Sequence, residues 1–367
     1  MRVHVDTSPH LVRINERIRL AGSLVDDETL SEAFARVEAV NAGQPITIFE
    51  ITTAVAFELF AATPADVLLL EVGLGGRFDS TNVIDHPAAC VITALSIDHP
   101  DFLGATVDKI AFEKAGILKR GAPAIVAEQP KEAMRVIERA AMKAGAPLIL
   151  AGRDFHVHAE GGRLVFEDAR GLLDLPLPRL PGRHQIGNSG LAIAALRKLH
   201  PDFAPQAFER GMREADWPAR LQRLKAGPLT ALAPPQAEVW LDGAHNDAGG
   251  KVLAEAMADF EDAHPAPLVL VTASLTSKDT RAFLSHFKGL VQEALCVAIP
   301  GEHASRSAVE VAGMAVEAGL TASAAGSVAE ALRTLAAKSW AKPPRILIAG
   351  SLYLAGAVLA ENGEAPK

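Results

Sequence analysis

Short apolar runs rich in Val, Ile and Leu alternate along the chain with longer stretches whose apolar residues recur at helical spacing. That alternation predicts βα units feeding a mainly parallel sheet. In the first part, strands are expected at Val3–Val5, Val67–Val72, Cys90–Ala94 and Ala124–Ala127. Helices are expected at Asp27–Asn41, Thr52–Ala61, Val107–Leu118 and Pro130–Gly145, the last closed by its glycine. From about Arg153 to Asp174 the period shortens and the sequence turns polar, predicting a hairpin of Phe155–His158 and Arg163–Glu167. The Pro-rich run Leu175–Pro181 leads into a helix over Gly182–Arg197. Between Trp217 and Pro235, prolines and a glycine break all periodicity, as expected of a connection between domains.

A second series then begins. Strands are expected at Val239–Asp242, Leu268–Ala273, Ala294–Ile299, Thr321–Ala324 and Arg345–Ala349, with helices at Ala248–Asp262, Asp279–Val291, Ser307–Ala318 and Val328–Ser339 between them. The fold class is therefore α/β: a doubly wound, mainly parallel sheet over 1–226, a linker at 227–237, and a smaller Rossmann-like α/β domain over 238–367. A length of 367 residues favours two cores over one.

Composition narrows the function classes. A formal charge of −8 argues against a nucleic-acid partner, whose phosphates require clustered Lys and Arg. Cys90 and Cys296, each in an apolar run, exclude a disulfide framework and a cysteine-rich metal site. No run reaches the roughly 18 apolar residues of a membrane span. The expectation is a cytoplasmic enzyme with small-molecule partners.

In doubly wound sheets ligands lie beyond the carboxyl ends of the strands, so polar clusters just after apolar runs carry the chemistry. Five such clusters occur: Thr7–His10, Glu71–Arg77, Asp98-His99, Asp242–Asn246 and Gly350–Tyr353. The glycines of Gly73–Gly76 do not make a dinucleotide fingerprint, because Phe78 stands where the third glycine belongs. Glu71 ends an apolar run, where a carboxylate is costly unless paired or metal-bound. With Ser8, Asp98 and His99 it offers the few ligands that a hard cation such as Mg²⁺ needs. His99 alone equally fits a hydrogen-bonded core histidine, and Lys114 alone a helix-end lysine projecting into water. No nucleotide P-loop is present: the Gly250-Lys251 pair is followed by Val252 and has no glycine five residues before it. Nor is there an H-E-x-x-H or a G-x-S-x-G motif.

Taken together, these clusters resemble folylpolyglutamate synthase/dihydrofolate synthase, the folate branch of the Mur ligase superfamily. The resemblance rests on Thr7–Leu11 with Arg13–Ile18, Phe49-Glu50 within Ile46–Thr53, Leu70–Asn82 and Ile97–His99. It continues through Glu113–Lys119, Pro181–Asn188, Trp217–Leu221, Asp242–Asn246 and Gly350–Tyr353, in the family's order. It implies a Mur-ligase-type ATPase domain that adds L-glutamate to dihydropteroate and to reduced folates through an acyl phosphate. It makes Ser8, Glu71 and His99 ligands of Mg²⁺, with two ions expected, and Thr47, Ile48, Phe49 and Glu50 part of the pterin site. Asn188, Arg220 and Asp242 match positions that contact ATP, and His245 lies near the reaction centre. Lys114 matches the lysine that is carbamylated in this family, and the resemblance implies a monomer.

Two departures are mild: Asp247 stands where the family commonly has proline and Ser189 where it commonly has alanine. The larger one is at the front. The family's GTNGKG-type phosphate loop, its strand and its helix do not occur in the chain, so a missing N-terminal piece on the order of 40–80 residues is expected. With it come an exposed sheet edge at Val3–Val5 and poor ATP binding by the chain as given. The alternatives are a catalytically dead, P-loop-less paralogue acting as a binding protein, and a Mur-type amide ligase acting on a cell-wall precursor.

Overall fold

A computed structural model describes residues 1–366. In the first half, Val3–Asp6 lies between Ile18–Leu20, antiparallel, and Val67–Leu70, parallel, with Ser23–Leu24 outermost. A separate parallel sheet orders Cys90–Ile92, Ala124–Val126 and Leu148–Leu150. The expected exposed edge at Val3–Val5 is corrected: the chain turns back after residue 17 and covers it. The open edges are Val67–Leu70 and Cys90–Ile92, where Leu69 is 53 % and Val91 41 % exposed.

Helices pack on these sheets through faces the sequence sets. The helix Lys131–Ala144 buries Ala133, Ile137 and Ala141, four residues apart, and Gly145 ends it in the left-handed region at φ 73°. The helix Ile48–Ala62 begins four residues before its expected start. Thr47 and Glu50 form a reciprocal capping box there, and its buried face meets Ile18, Val25 and Leu30.

The expected hairpin is a three-stranded antiparallel sheet, Phe155–Glu160, Arg163–Asp168 and Gly171–Pro176, packed on the helix His184–Leu199. Its third strand and the following helix Pro205–Glu214 were not legible in the sequence. Phe208 and Met212 are the only buried residues of that helix, too sparse a stripe to read.

The second half is built on one six-stranded sheet in the order Gln222–Arg223, Glu238–Leu241, Arg345–Ala349, Leu268–Thr272, Glu293–Cys296, Ala322–Ala324. All pairings are parallel except the first. Alternate residues of its strands feed two cores: Val239, Val269, Val271, Ile346 and Ile348 on one face, Leu268, Leu270, Leu347 and Ala349 on the other. Gln222–Arg223 already belongs to this sheet and Leu229 is 1 % exposed in its core, so the segment expected as a linker at 227–237 is packed against the second domain. The expected helix over Asp279–Val291 shrinks to Thr280–Ser285. A helix that the sequence did not disclose, Leu352–Asn362, packs Gly356 directly against the carbonyl of Leu11. A side chain at position 356 would collide with that carbonyl, so this glycine permits close approach of the two halves.

Candidate active site

Parallel pairing of Asp6 with Leu70 brings the residues just beyond the two strands together. The Ser8 N–H donates to Glu71 Oε2 at 3.0 Å, and the Glu71 N–H donates to the Asp6 carbonyl at 2.9 Å. Glu71 opens onto a cavity, yet enough protein surrounds it that desolvation pushes its carboxyl above the ordinary range. The Ser8 N–H and the charges of Arg220 and Lys114 work against that rise.

The glycine loop after Glu71 joins this carboxylate to Lys114. Asp79 Oδ2 accepts the N–H groups of Gly73 and Leu74 at 3.1 and 2.9 Å, which fixes the turn. The Arg77 N–H then donates to the carbonyl of Glu113 at 2.8 Å, and its guanidinium meets the Glu113 carboxylate at 2.8 and 3.2 Å. Gly76, at φ 152°, lies so close to the helix end that a Cβ would sit 3.0 Å from the Glu113 carbonyl. Lys114 is thereby held half-buried. Burial pushes its ammonium below the ordinary lysine range, against the opposing charges of Asp98, Asp79 and Glu71. Among the described residues no carboxylate comes within salt-bridge distance of it. The solvated helix-end reading of Lys114 therefore does not describe this side chain.

Arg220 and Asn188 face the same cavity as Ser8 and Glu71, a space of roughly 280 Å³ also lined by Trp217 and Leu352. The backbone around Arg220 is strained: Ala219 and Leu221 both take positive φ, at 54° and 45°. Asp242 secures that turn, since its Oδ2 accepts the Leu221 N–H and its Oδ1 the Ala244 N–H, both at 2.7 Å. Burial raises the Asp242 carboxyl, while these N–H donors and Arg220 pull it back. Asp242 thus fixes the backbone turn that carries Arg220.

His99 adopts φ 51° and ψ 50°, a left-handed conformation uncommon outside glycine, at the start of the short helix Pro100–Leu103. Its imidazole is pushed below the ordinary value by desolvation, and Lys278, His245 and Lys114 add to that against Asp98. The neighbouring Asp98 reaches the second domain: Lys278 Nζ donates to it at 2.8 Å and Asn246 Nδ2 at 3.0 Å. His245 donates Nδ1–H to the Gly243 carbonyl at 2.8 Å and turns Nε2 toward Asp98 at 3.7 Å. Burial disfavours the Asp98 charge, but His245 and Lys278 outweigh it and hold the carboxyl well below the usual range.

Of the expected pterin residues, Thr47 and Glu50 are engaged in helix capping, Ile48 is 75 % exposed, and the Phe49 ring lies on Gly73. The geometry thus ties this segment to the glycine loop. Lys278 was missed by sequence reasoning, although it follows the strand Leu268–Thr272 and the strand-end rule would have found it. A second cavity, lined by Asp168, Arg170 and Arg197, offers no free chemistry. Arg197 pairs there with Asp168 at 2.9 Å, and Arg170 donates to the carbonyls of Arg197 and Pro201.

The residues present fit a hard cation. The Ser8 hydroxyl and the Glu71 carboxylate are oxygen donors side by side, and among the described residues Glu71 receives no side-chain hydrogen bond. Three or more His, Cys, Asp or Glu residues do not gather around one point among the described residues, so any ion here has few protein ligands.

No family model matches the chain. It is 32 % identical over 312 residues to a dihydrofolate synthase/folylpolyglutamate synthase of Haemophilus influenzae, covering 82 % of this chain and 69 % of that one. It is 32 % identical over 377 residues to a folylpolyglutamate synthase of Lacticaseibacillus casei, covering 98 % and 83 %. Its structure superposes on Escherichia coli FolC in complex with DHPP and ADP with a TM-score of 0.85 at 31 % identity, over 98 % of this chain and 81 % of that one. A bifunctional folylpolyglutamate synthase/dihydrofolate synthase with Mn, AMPPNP and L-glutamate bound gives a TM-score of 0.84 at 29 % identity, over 98 % of this chain and 82 % of that one. The chain belongs to the folylpolyglutamate synthase/dihydrofolate synthase family.

Proposed function

We propose that this protein is an ATP-dependent ligase that adds L-glutamate to dihydropteroate and to reduced folates. The observation that carries the reading is the convergence of Ser8, Glu71, Asn188 and Arg220 on one cavity, with Lys114 held beside it by the glycine loop. A carboxylate resists attack by an amine until its oxygen is converted into a leaving group. Transfer of the γ-phosphoryl group from ATP gives an acyl phosphate, and the glutamate amine then displaces phosphate. Arg220 faces the cavity as a fixed cation for phosphate oxygens, held by the turn that Asp242 anchors. Asn188, whose Nδ2 donates to Gln185 Oε1 at 3.1 Å, presents its carbonyl oxygen to the nucleotide.

Ser8, Glu71 and His99 are the residues that would hold Mg²⁺, which when bound neutralises charge on the transferring phosphoryl group. Lys114 is suited to carbamylation because burial favours its neutral amine. Addition of that amine to CO₂ with loss of a proton gives a carbamate anion, an oxygen donor for a second ion. The pterin is placed against Thr47, Ile48, Phe49 and Glu50, where the Phe49 ring covers Gly73. His245, near the domain junction, faces the incoming glutamate. The protein is read as a monomer acting in the cytoplasm.

The test is glutamate-dependent phosphate release from ATP by the protein expressed from its own gene, first with dihydropteroate and then with a reduced folate. Release with both supports the dual assignment, and release with neither overturns it.

A further inference from the structure

We propose that Asp98 is a positioning residue that latches the second domain onto the loop carrying His99, so that seating of the domain and assembly of the metal-side groups are one event. The proposal rests on the ligase reading for its catalytic consequence, and on geometry alone for the latch.

One carboxylate serves both sides of the junction. Within its own loop, Asp98 Oδ1 accepts the His99 N–H at 2.9 Å, the backbone of the residue held in a left-handed conformation. Across the junction the same oxygen accepts Lys278 Nζ at 2.8 Å and Oδ2 accepts Asn246 Nδ2 at 3.0 Å, contacts spanning 180 and 148 residues of sequence.

Both donors are preorganised by their own domain. Asn246 caps the helix Asp247–Ala263 by accepting the Gly249 N–H at 2.8 Å, which leaves its amide NH₂ directed at Asp98. Lys278, 13 % exposed, sits in a turn pinned by its N–H to the Leu275 carbonyl and by Thr280 Oγ1 to Ser274 Oγ at 2.7 Å. The loop before Asp98 is fixed as well, because the Gln129 carboxamide donates to the Thr93 carbonyl at 2.7 Å and accepts the Leu95 N–H at 3.0 Å.

Two rigid donors from different strand ends therefore meet one carboxylate on a rigid loop. Domains in one chain move relative to each other unless their interface is large and apolar. A half-buried ion pair at the junction, reinforced by an amide, shifts that equilibrium toward the seated state.

The test pairs activity with a distance. Dyes are placed at Met142→Cys and Val316→Cys, both exposed positions on opposite domains, while Cys90 and Cys296 are buried and do not label. Asp98→Asn and Lys278→Met are expected each to lower kcat by roughly 10–100-fold with the KM for ATP within about twofold, and to shift energy transfer toward an open state. The double variant is expected to lose no more than either single one, and Lys278→Arg to restore most of the activity and the closed distance. Additive losses, or an unchanged distance in both single variants, overturn the latch. If the parent shows no ligase activity but the distance still responds to Asp98→Asn and Lys278→Met alike, the function reading fails and the latch stands.

Discussion

Strand Val67–Leu70 in the first half has a partner on one side only and leaves Leu69 53 % exposed, whereas every residue of Arg345–Ala349 in the second half is buried between two parallel neighbours. The two regions share βα chemistry and differ in what their strand ends do. In the second half, helices cover both sheet faces and apolar burial is nearly complete, which makes a rigid platform for His245, Asn246 and Lys278. In the first half, Glu71, Asp98, His99 and Lys114 sit at open or half-open positions with charges perturbed by partial burial. The second half supplies the more completely buried sheet, and the groups proposed to hold the metal lie on the first.

The largest effect that separates the halves is on rate. Glu71→Gln is expected to lower kcat/KM by on the order of 10³-fold with little change in the unfolding midpoint, measured by phosphate release and thermal melting. A second contrast is in stability. Leu347→Ala, in the fully buried strand, is expected to cost about 2–5 kcal/mol in denaturant titration, and Leu69→Ala, at the open edge, less than about 1 kcal/mol. Equal costs would erase the proposed division.

One carboxylate from each half, Asp6 and Glu238, responds to pH in the opposite sense to the other. Burial raises the Asp6 carboxyl to about 7, with Glu71 and Asp79 adding to it and Arg17 opposing. A raised carboxyl stabilises the native state below its unfolded value, and that contribution is lost as pH rises through about 7. Asp6→Asn is therefore expected to stabilise the metal-free protein at pH 8 and to change little at pH 4.

Glu238 runs the other way: burial works against its charge, but Trp240, Arg345 and Arg223 outweigh it and lower the carboxyl. Its contribution is present above the ordinary value of 4.5 and is lost as pH falls through the lowered native value. Glu238→Gln should destabilise at pH 7 and converge with the parent in acid. The smallest effect is expected from Arg183→Ala. That residue pairs with Asp259 across the junction at 2.5 Å but is 74 % exposed, so its loss should leave the melting midpoint unchanged.

What the sequence disclosed follows from how local each signal is. Arg345–Ala349 and Asp27–Asn41 fall where the pattern places them, because the apolar run Ile346–Ala349 and an Asp26 cap accepting the Thr29 N–H are local features. The start of the Ile48 helix was obscured by the β-branched run Ile46-Thr47-Ile48, although the capping pair Thr47 and Glu50 was there to be read. Leu352–Asn362 is apolar on all sides and so carries no helical stripe. Gln222–Arg223 is a strand only because Trp240 and Leu241 lie beside it.

The site divides in the same way. Ser8 and Glu71 were legible because strand ends announce them. The depressed Lys114 depends on the glycine loop packing against its helix, and the Asp98–Lys278 pair joins residues 180 apart, which no local pattern encodes.

The most direct test of the central claim follows an oxygen atom. Dihydropteroate labelled with ¹⁸O in its carboxylate is incubated with ATP, Mg²⁺, L-glutamate and the protein expressed from its own gene, and the released phosphate is examined by mass spectrometry. An acyl-phosphate ligase transfers one carboxylate oxygen to phosphate for each amide formed, so one ¹⁸O per phosphate is the predicted result. Glutamylated product accompanied by unlabelled phosphate, or no product at all, would contradict the account.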